Sequence, residues 1–230
     1  MTGRATGRIG VLLLAATAAA GLRADEAGAL RVLARMQSFY RDTPGITAQF
    51  VQTLDAKALG RPQQESGTVW LKPPGRMRWE YRKPAGKIAV LDGRHAYLYL
   101  PEDRQVVVGK MGDLEAGAVT TRLLLGNSPI AADFRIEGEP SPVRPGAWLL
   151  KLSPKAADFP YDSVALEVEE ATGVIRSIKL VDPLGNRMEY RFENVQPVRN
   201  LSDRLFTYKI PRGVDIQTMG DEAIPGFPSP

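Results

Sequence analysis

From Ile46 onward the chain alternates apolar and polar residues for most of its length, and a chain with a two-residue period can bury only one face of a sheet. Ile46–Thr53, Gly67–Lys72, Arg76–Tyr81, Lys87–Asp92, Ala96–Leu100 and Gln105–Gly109 read as successive strands. Short breakers separate them, among them Pro73-Pro74-Gly75, Lys83-Pro84-Ala85-Gly86, Asp92-Gly93 and Pro101-Glu102-Asp103. Links this short favour antiparallel neighbours, because a parallel crossover takes about a dozen residues or more. The rhythm breaks once. Asp113 is placed to cap a helix over Leu114–Leu125, stopped by Gly126, and Ser128-Pro129 opens a second short helical piece toward Phe134. Strands then resume at Trp148–Ser153, Ser163–Glu169, Val174–Val181, Arg187–Phe192 and Leu205–Ile210, and the Pro/Gly-rich tail from Thr218 reads as loose. A flat sheet does not tolerate about eleven strands, so a strongly curved or nearly closed antiparallel sheet is expected, with the helical pieces on its concave side.

Ahead of the sheet, Ala29, Leu33, Met36 and Tyr40 recur at helical spacing and predict an amphipathic helix over Asp25–Tyr40. Before it, Arg4 and Arg8 precede an apolar stretch from Ile9 to Ala20 with small residues at Ala18 and Ala20. That order is the signature of a secretory signal peptide over residues 1–24, cut after Ala20 or near Ala24, leaving 25–230 as a single domain. An extracytoplasmic location, the periplasm in a bacterium, follows from it.

Several chemistries are excluded by what the chain lacks. There is no cysteine, which removes disulfides, thiolate metal sites and cysteine nucleophiles, and a single histidine, His95, removes multi-histidine zinc sites. Thirty basic against 26 acidic residues leave a net charge of +4, too small an excess to imply nucleic acid. His95 follows a tight Asp92-Gly93-Arg94 turn with no serine in a nucleophile-elbow context, and the acidic pairs Glu102-Asp103, Glu169-Glu170 and Asp221-Glu222 lie beside turns or strand ends, where solvation is their ordinary role. No metal and no cofactor are expected. Arg76 and Arg78 alternate with Met77, Trp79 and Tyr81, which puts the charges and the rings on opposite faces, so they do not jointly grip a base. Similar pairs recur at Val69 and Leu71, Ile88 and Val90, Leu98 and Leu100, Trp148 and Leu150, and Tyr190 and Phe192. Ordinary core filling explains such alternation. A sheet of about eleven strands, however, leaves interior space that helices or an apolar ligand must occupy.

Phe50-Val51-Gln52, the block from Ser66-Gly67-Thr68-Val69-Trp70-Leu71-Lys72-Pro73-Pro74-Gly75 through Arg76-Met77-Arg78-Trp79-Glu80-Tyr81, then Pro84, Asp92-Gly93, Tyr97 and Tyr99 resemble the outer-membrane lipoprotein carrier family, LolA. Asp182 with Gly185-Asn186, Phe192-Glu193-Asn194-Val195 and Phe206 through Pro211-Arg212-Gly213-Val214-Asp215 resemble its later motifs in the same order. The resemblance implies a mainly β fold with an α lid, an incomplete (unclosed) antiparallel β-barrel of about 11 strands covered by short helices, whose apolar interior receives lipoprotein acyl chains. On that basis the lipid cavity is assigned to Phe50, Val69, Leu71, Met77, Trp79, Tyr81, Val90, Leu98, Leu100, Trp148 and Leu150, and the lid to Leu33, Met36, Tyr40, Leu114 and Leu124. In the family a basic residue commonly precedes the proline after the Trp-containing strand and its arginine form bonds to the lid. Pro73 stands there in this chain, which makes Lys72, Arg76 and Arg78 the candidate lid latch. The implied partners are lipoproteins through their acyl chains, an inner-membrane lipoprotein-releasing ABC transporter, and an outer-membrane acceptor or the outer membrane itself, with the carrier a monomer. Trp79→Glu or Leu98→Glu is expected to abolish uptake and leave the protein folded. The alternative within the same architecture is a periplasmic lipoprotein- or lipid-binding sensor or regulatory module. An extracytoplasmic hydrolase would have to depend on His95 or an acidic pair.

Overall fold

A computed structural model of the chain describes residues 12–110, 119–126 and 129–218. A long helix, α1 (Leu12–Asp42), leads into six strands: β1 (Ile46–Asp55), β2 (Gln63–Lys72), β3 (Arg76–Lys83), β4 (Ile88–Asp92), β5 (His95–Leu100) and β6 (Gln105–Lys110). Two short helices follow, α2 (Val119–Leu125) and α3 (Ile130–Asp133), and then β7 (Phe134–Pro140), β8 (Ala147–Pro154), β9 (Ser163–Glu169), β10 (Ile175–Val181), β11 (Arg187–Pro197) and β12 (Asp215–Thr218). All twelve strands form one sheet in the order β12-β6-β5-β4-β3-β2-β1-β11-β10-β9-β8-β7, open at both ends. Every pairing is antiparallel except that of β12 with β6. Among the described residues no helix is long and apolar enough to cross a membrane.

Two strands escape the sequence pattern and one expected strand is absent. In β7 the alternation Phe134, Ile136, Gly138 against Arg135, Glu137, Glu139 is complete, but a glycine takes the third apolar place and Pro140 follows. Gly138 is needed there, because a Cβ would lie 2.7 Å from the Ala29 Cβ of α1. β12 is exposed at all four residues and carries no alternation to detect. Leu205–Ile210 is not a strand: Asp203–Phe206 forms a 3-10 turn, and the chain then runs irregularly as a strap over β3 and β4. Those strands are already paired on both sides, so the strap has no ladder to join. Its apolar spacing instead serves packing, with Phe206 buried and the Tyr208 ring 5.6 Å from that of Tyr97.

The helices also differ in extent. Within the described residues α1 runs unbroken from Leu12 past both expected cleavage points. The expected helix over Leu114–Leu125 is described from Val119 as α2, while Leu114 and Asp113 lie outside the described residues, as do Ser128 and the tail beyond Thr218.

Candidate functional site

Cross-strand register assembles the concave floor. Phe50 of β1 stands opposite Gly67 of β2 and Phe192 of β11. Across β2 and β3, Gly67 faces Tyr81, Val69 faces Trp79 and Leu71 faces Met77. Because side chains alternate between faces, all of these point the same way, and the rings meet: Phe50 lies 4.7 Å from Trp79 and 5.0 Å from Tyr81, and Trp79 lies 5.8 Å from Tyr190 and 6.2 Å from Phe192. Gly67 makes this closeness feasible. A Cβ at that position would sit 2.9 Å from Phe50 Cε1 and 2.0 Å from the Glu80 carbonyl oxygen. Leu98, Leu150 and Trp148 extend the floor, and Leu100 packs half-buried at its margin.

Val90 does not belong to this surface. Met77 pairs with Leu91 and Trp79 with Ala89, so Leu91 and Ala89 are the inward residues of β4. Val90, opposite Arg78 and Tyr97, faces the convex side, where it is buried outside the main core together with Val106 and Phe206. The expected cavity residue is therefore part of a small second apolar layer beneath the strap.

The roof is helical. Leu33, Met36 and Tyr40 of α1 and Leu124 of α2 are at most 3% exposed and join the same core cluster as the floor. Small residues let α1 settle closely: a Cβ on Gly28 would fall 2.1 Å from the Trp148 ring, and one on Gly173 would fall 2.7 Å from the Arg35 carbonyl oxygen. Polar ties hold it as well, two of them exposed and one buried. Arg31 pairs with Glu170 at 3.1 Å, Arg35 donates to the Glu170 carbonyl at 2.7 Å, and the Ile175 N–H donates to the Tyr40 hydroxyl at 3.2 Å. The Arg31 guanidinium, with the Trp148 indole N–H, holds the Glu170 carboxyl below its usual range. In this state roof and floor are in contact, so the expected hollow is filled by side chains of α1 and α2 and needs their displacement to hold anything else.

A pocket of about 680 Å³ does open elsewhere, along the free edge of β7 between Leu30, Phe134, Ile136, Leu149, Lys151 and Lys155. Phe134, Ile136 and Gly138 in its lining share the face of Leu150 and Leu152, so it opens at the edge of the floor beside Glu26 and Leu30 of α1, and none of the expected cavity residues lines it.

Lys72, Arg76 and Arg78 do not latch the lid in this structure. Alternation with Leu71, Met77 and Trp79 turns them to the convex face, where they clamp the strap. Lys72 Nζ donates to the Leu201 carbonyl at 2.7 Å and to Asp203 at 2.5 Å, Arg76 reaches the same carboxylate at 2.6 Å, and Arg78 donates to the Leu205 carbonyl at 3.1 Å. The hydrogen bond from Lys72, then the charge of Arg76, holds the Asp203 carboxyl below its usual range. His95 is exposed beside its turn, and among the described residues no three His, Asp or Glu side chains gather as metal ligands.

Sequence reasoning missed a polar group in the floor: Gln52, Glu65, Lys87 and the hydroxyls of Tyr81 and Tyr190. The signal was available, since Gln52 stands two residues after Phe50 and Lys87 two before Ala89, on the inward parity of their strands.

An open sheet with an apolar floor under a helical roof is the class of fold that can contain apolar groups. Residues 41–209 match the family described as "Outer membrane lipoprotein carrier protein LolA", and the chain belongs to that family. It is 30% identical over 184 residues to the outer-membrane lipoprotein carrier protein of Dechloromonas aromatica, covering 79% of this chain and 85% of the relative. With that of Azotobacter vinelandii it shares 31% over 210 residues, covering 90% and 96%. Among solved structures, an uncharacterized conserved protein from Thermus thermophilus has the same fold with a TM-score of 0.55 at 17% identity, covering 83% of this chain and 99% of that one. MucB matches with a TM-score of 0.53 at 18% identity, covering 87% and 69%.

Proposed function

We propose that this protein carries lipoproteins through the periplasm by sheltering their acyl chains on the concave floor. In this reading residues 1–24 direct export and are removed, the mature chain acts as a monomer, an inner-membrane ABC exporter loads it, and an outer-membrane acceptor or the membrane itself unloads it. The carrier does no bond-making chemistry. The observation that carries the proposal is the apolar floor, centred on Phe50, Trp79 and Phe192 and roofed by α1 and α2 through apolar contacts.

Magnitudes favour an exchange of roof for cargo. Exposing Val32, Leu33, Met36 and Tyr40 would cost about 1.5–3 kcal/mol each, on the order of 10 kcal/mol together. An acyl chain leaving water gains roughly 0.8 kcal/mol per methylene, so about a dozen methylenes offset that cost. Cargo drawn from a bilayer has no such gain, because lipid and floor are similar solvents for it, so the exporter has to supply the cost of lifting the roof. Apolar contacts are non-directional, which lets one floor accept many cargo proteins by their common lipid.

The test is to incubate the purified protein with inner-membrane vesicles holding the exporter and a labelled triacylated lipoprotein. Label is expected in the supernatant as a one-to-one soluble complex. Label that stays with the vesicles at saturating protein contradicts the proposal.

A further inference from the structure

The floor contains a polar niche that a pure hydrocarbon container has no use for. Gln52 and Lys87 are 4% exposed, Tyr81 6% and Tyr190 1%. Gln52 is directly opposite Tyr190 on β11 and opposite Glu65 on β2, so the group shares one face where β1, β2 and β11 meet. Lys87 Nζ donates to both Glu65 oxygens, at 2.9 and 2.8 Å, and lies 4.5 Å from the centre of the Tyr81 ring. That pairing leaves the niche without net charge.

Its donors are unequally used. The Tyr81 hydroxyl donates to Gln52 Oε1 at 3.3 Å, which fixes the amide with its Nε2 turned toward Met188, where it finds only the sulfur at 3.9 Å. The Tyr190 hydroxyl has no hydrogen-bond partner among the described residues. A buried donor left unpaired costs free energy that folding alone does not recover, so the Tyr190 hydroxyl, facing an amide N–H that meets only a weak sulfur acceptor, marks a place built for an acceptor that arrives later. The acceptor must be uncharged, because Glu65 already neutralises the only ammonium there, and it must offer lone pairs in two directions. A carbonyl oxygen does both.

We propose that Tyr190 Oη and Gln52 Nε2 donate hydrogen bonds to an ester carbonyl at the head of a cargo acyl chain. The niche thereby sets how deep the chain lies along Phe50 and Trp79. This rests on the carrier reading and adds the chemical group that the floor recognises: an acyl ester, as distinct from a bare alkyl chain or a fatty-acid carboxylate.

Two synthetic probes test it: a triacylated cysteinyl lipopeptide with its two glycerol chains in ester linkage, and the counterpart with the same chains in ether linkage. Binding is followed by tryptophan fluorescence. The wild-type protein is expected to bind the ester probe about tenfold more tightly, the worth of one well-made hydrogen bond in a dry site. In Tyr190→Phe that ratio falls toward one, and in Gln52→Leu it falls at least in part. Tyr190→Phe removes a hydroxyl with no partner to lose, so its thermal unfolding is expected at or above the wild-type midpoint. Equal affinity of the wild type for both probes overturns the niche and leaves the carrier reading standing, as does an ester preference that survives in the double variant. Binding of neither probe overturns both.

Discussion

Oxidising an Ala29→Cys/Gly138→Cys variant is expected to reduce lipoprotein uptake to background, and a reductant is expected to restore it. The chain has no cysteine of its own, so the engineered pair has no competitor. A Cβ on Gly138 would stand 2.7 Å from that of Ala29, while disulfide-bonded residues hold their Cβ atoms about 3.8 Å apart. The bond therefore forms once α1 moves off β7 by about 1 Å and the Leu150 side chain, whose Cδ2 lies 2.8 Å from the added Cβ, turns aside, and it then ties the roof to the edge of the sheet. Because floor and roof share one cluster, a tied roof keeps acyl chains off the floor. Each single-cysteine variant and the reduced double variant report the effect of the substitutions themselves. Uptake that persists with the crosslink fully formed would show that cargo enters without lifting α1.

Trp79→Glu is expected to unfold the protein rather than yield a folded one that does not bind. Trp79 is 4% exposed, and Phe50, Tyr190 and Phe192 all pack on its ring. Truncation of a buried tryptophan typically costs about 3–5 kcal/mol, and an unpaired carboxylate in the same space adds to it. That sum approaches the whole stability of a typical domain, about 5–15 kcal/mol. Urea titration followed by circular dichroism should find no cooperative transition for Trp79→Glu, whereas Trp79→Leu keeps a transition at a lower midpoint. A folded Trp79→Glu protein with a near-wild-type midpoint would mean that the floor is far more yielding than its packing implies. The sequence-based expectation of a folded, binding-dead variant placed Trp79 on a lipid-binding surface beneath a movable lid, whereas its ring is packed into the core.

Much of the floor is legible from alternation alone. Met77, Trp79 and Tyr81 against Arg76, Arg78 and Glu80 leave no ambiguity of face, and register then carries Val69, Leu71 and Phe50 to the same side. β4 is different, since Ile88, Ala89, Val90 and Leu91 are apolar on both parities and only pairing with β3 decides that Ala89 and Leu91 face inward. The strap shows the opposite failure: Phe206 and Tyr208 have strand spacing but serve as a plug over a sheet whose hydrogen bonds are already taken. Gly138 hid β7, because what demands a glycine there is a helix more than one hundred residues away in sequence. The polar niche went unread for a related reason. Gln52 and Lys87 look like ordinary surface residues until Glu65, Tyr81 and Tyr190 are brought beside them.

The account stands on a roof that leaves the floor when cargo arrives, and amide hydrogen exchange compared between the empty and the lipoprotein-loaded protein measures this directly. The expected result is faster exchange in α1 from Ala29 to Tyr40 on loading, with the amides of β1, β2, β3 and β11 as protected as before. Loaded protein in which α1 keeps or increases its protection would contradict the account, since the chains would then lie somewhere other than beneath that helix.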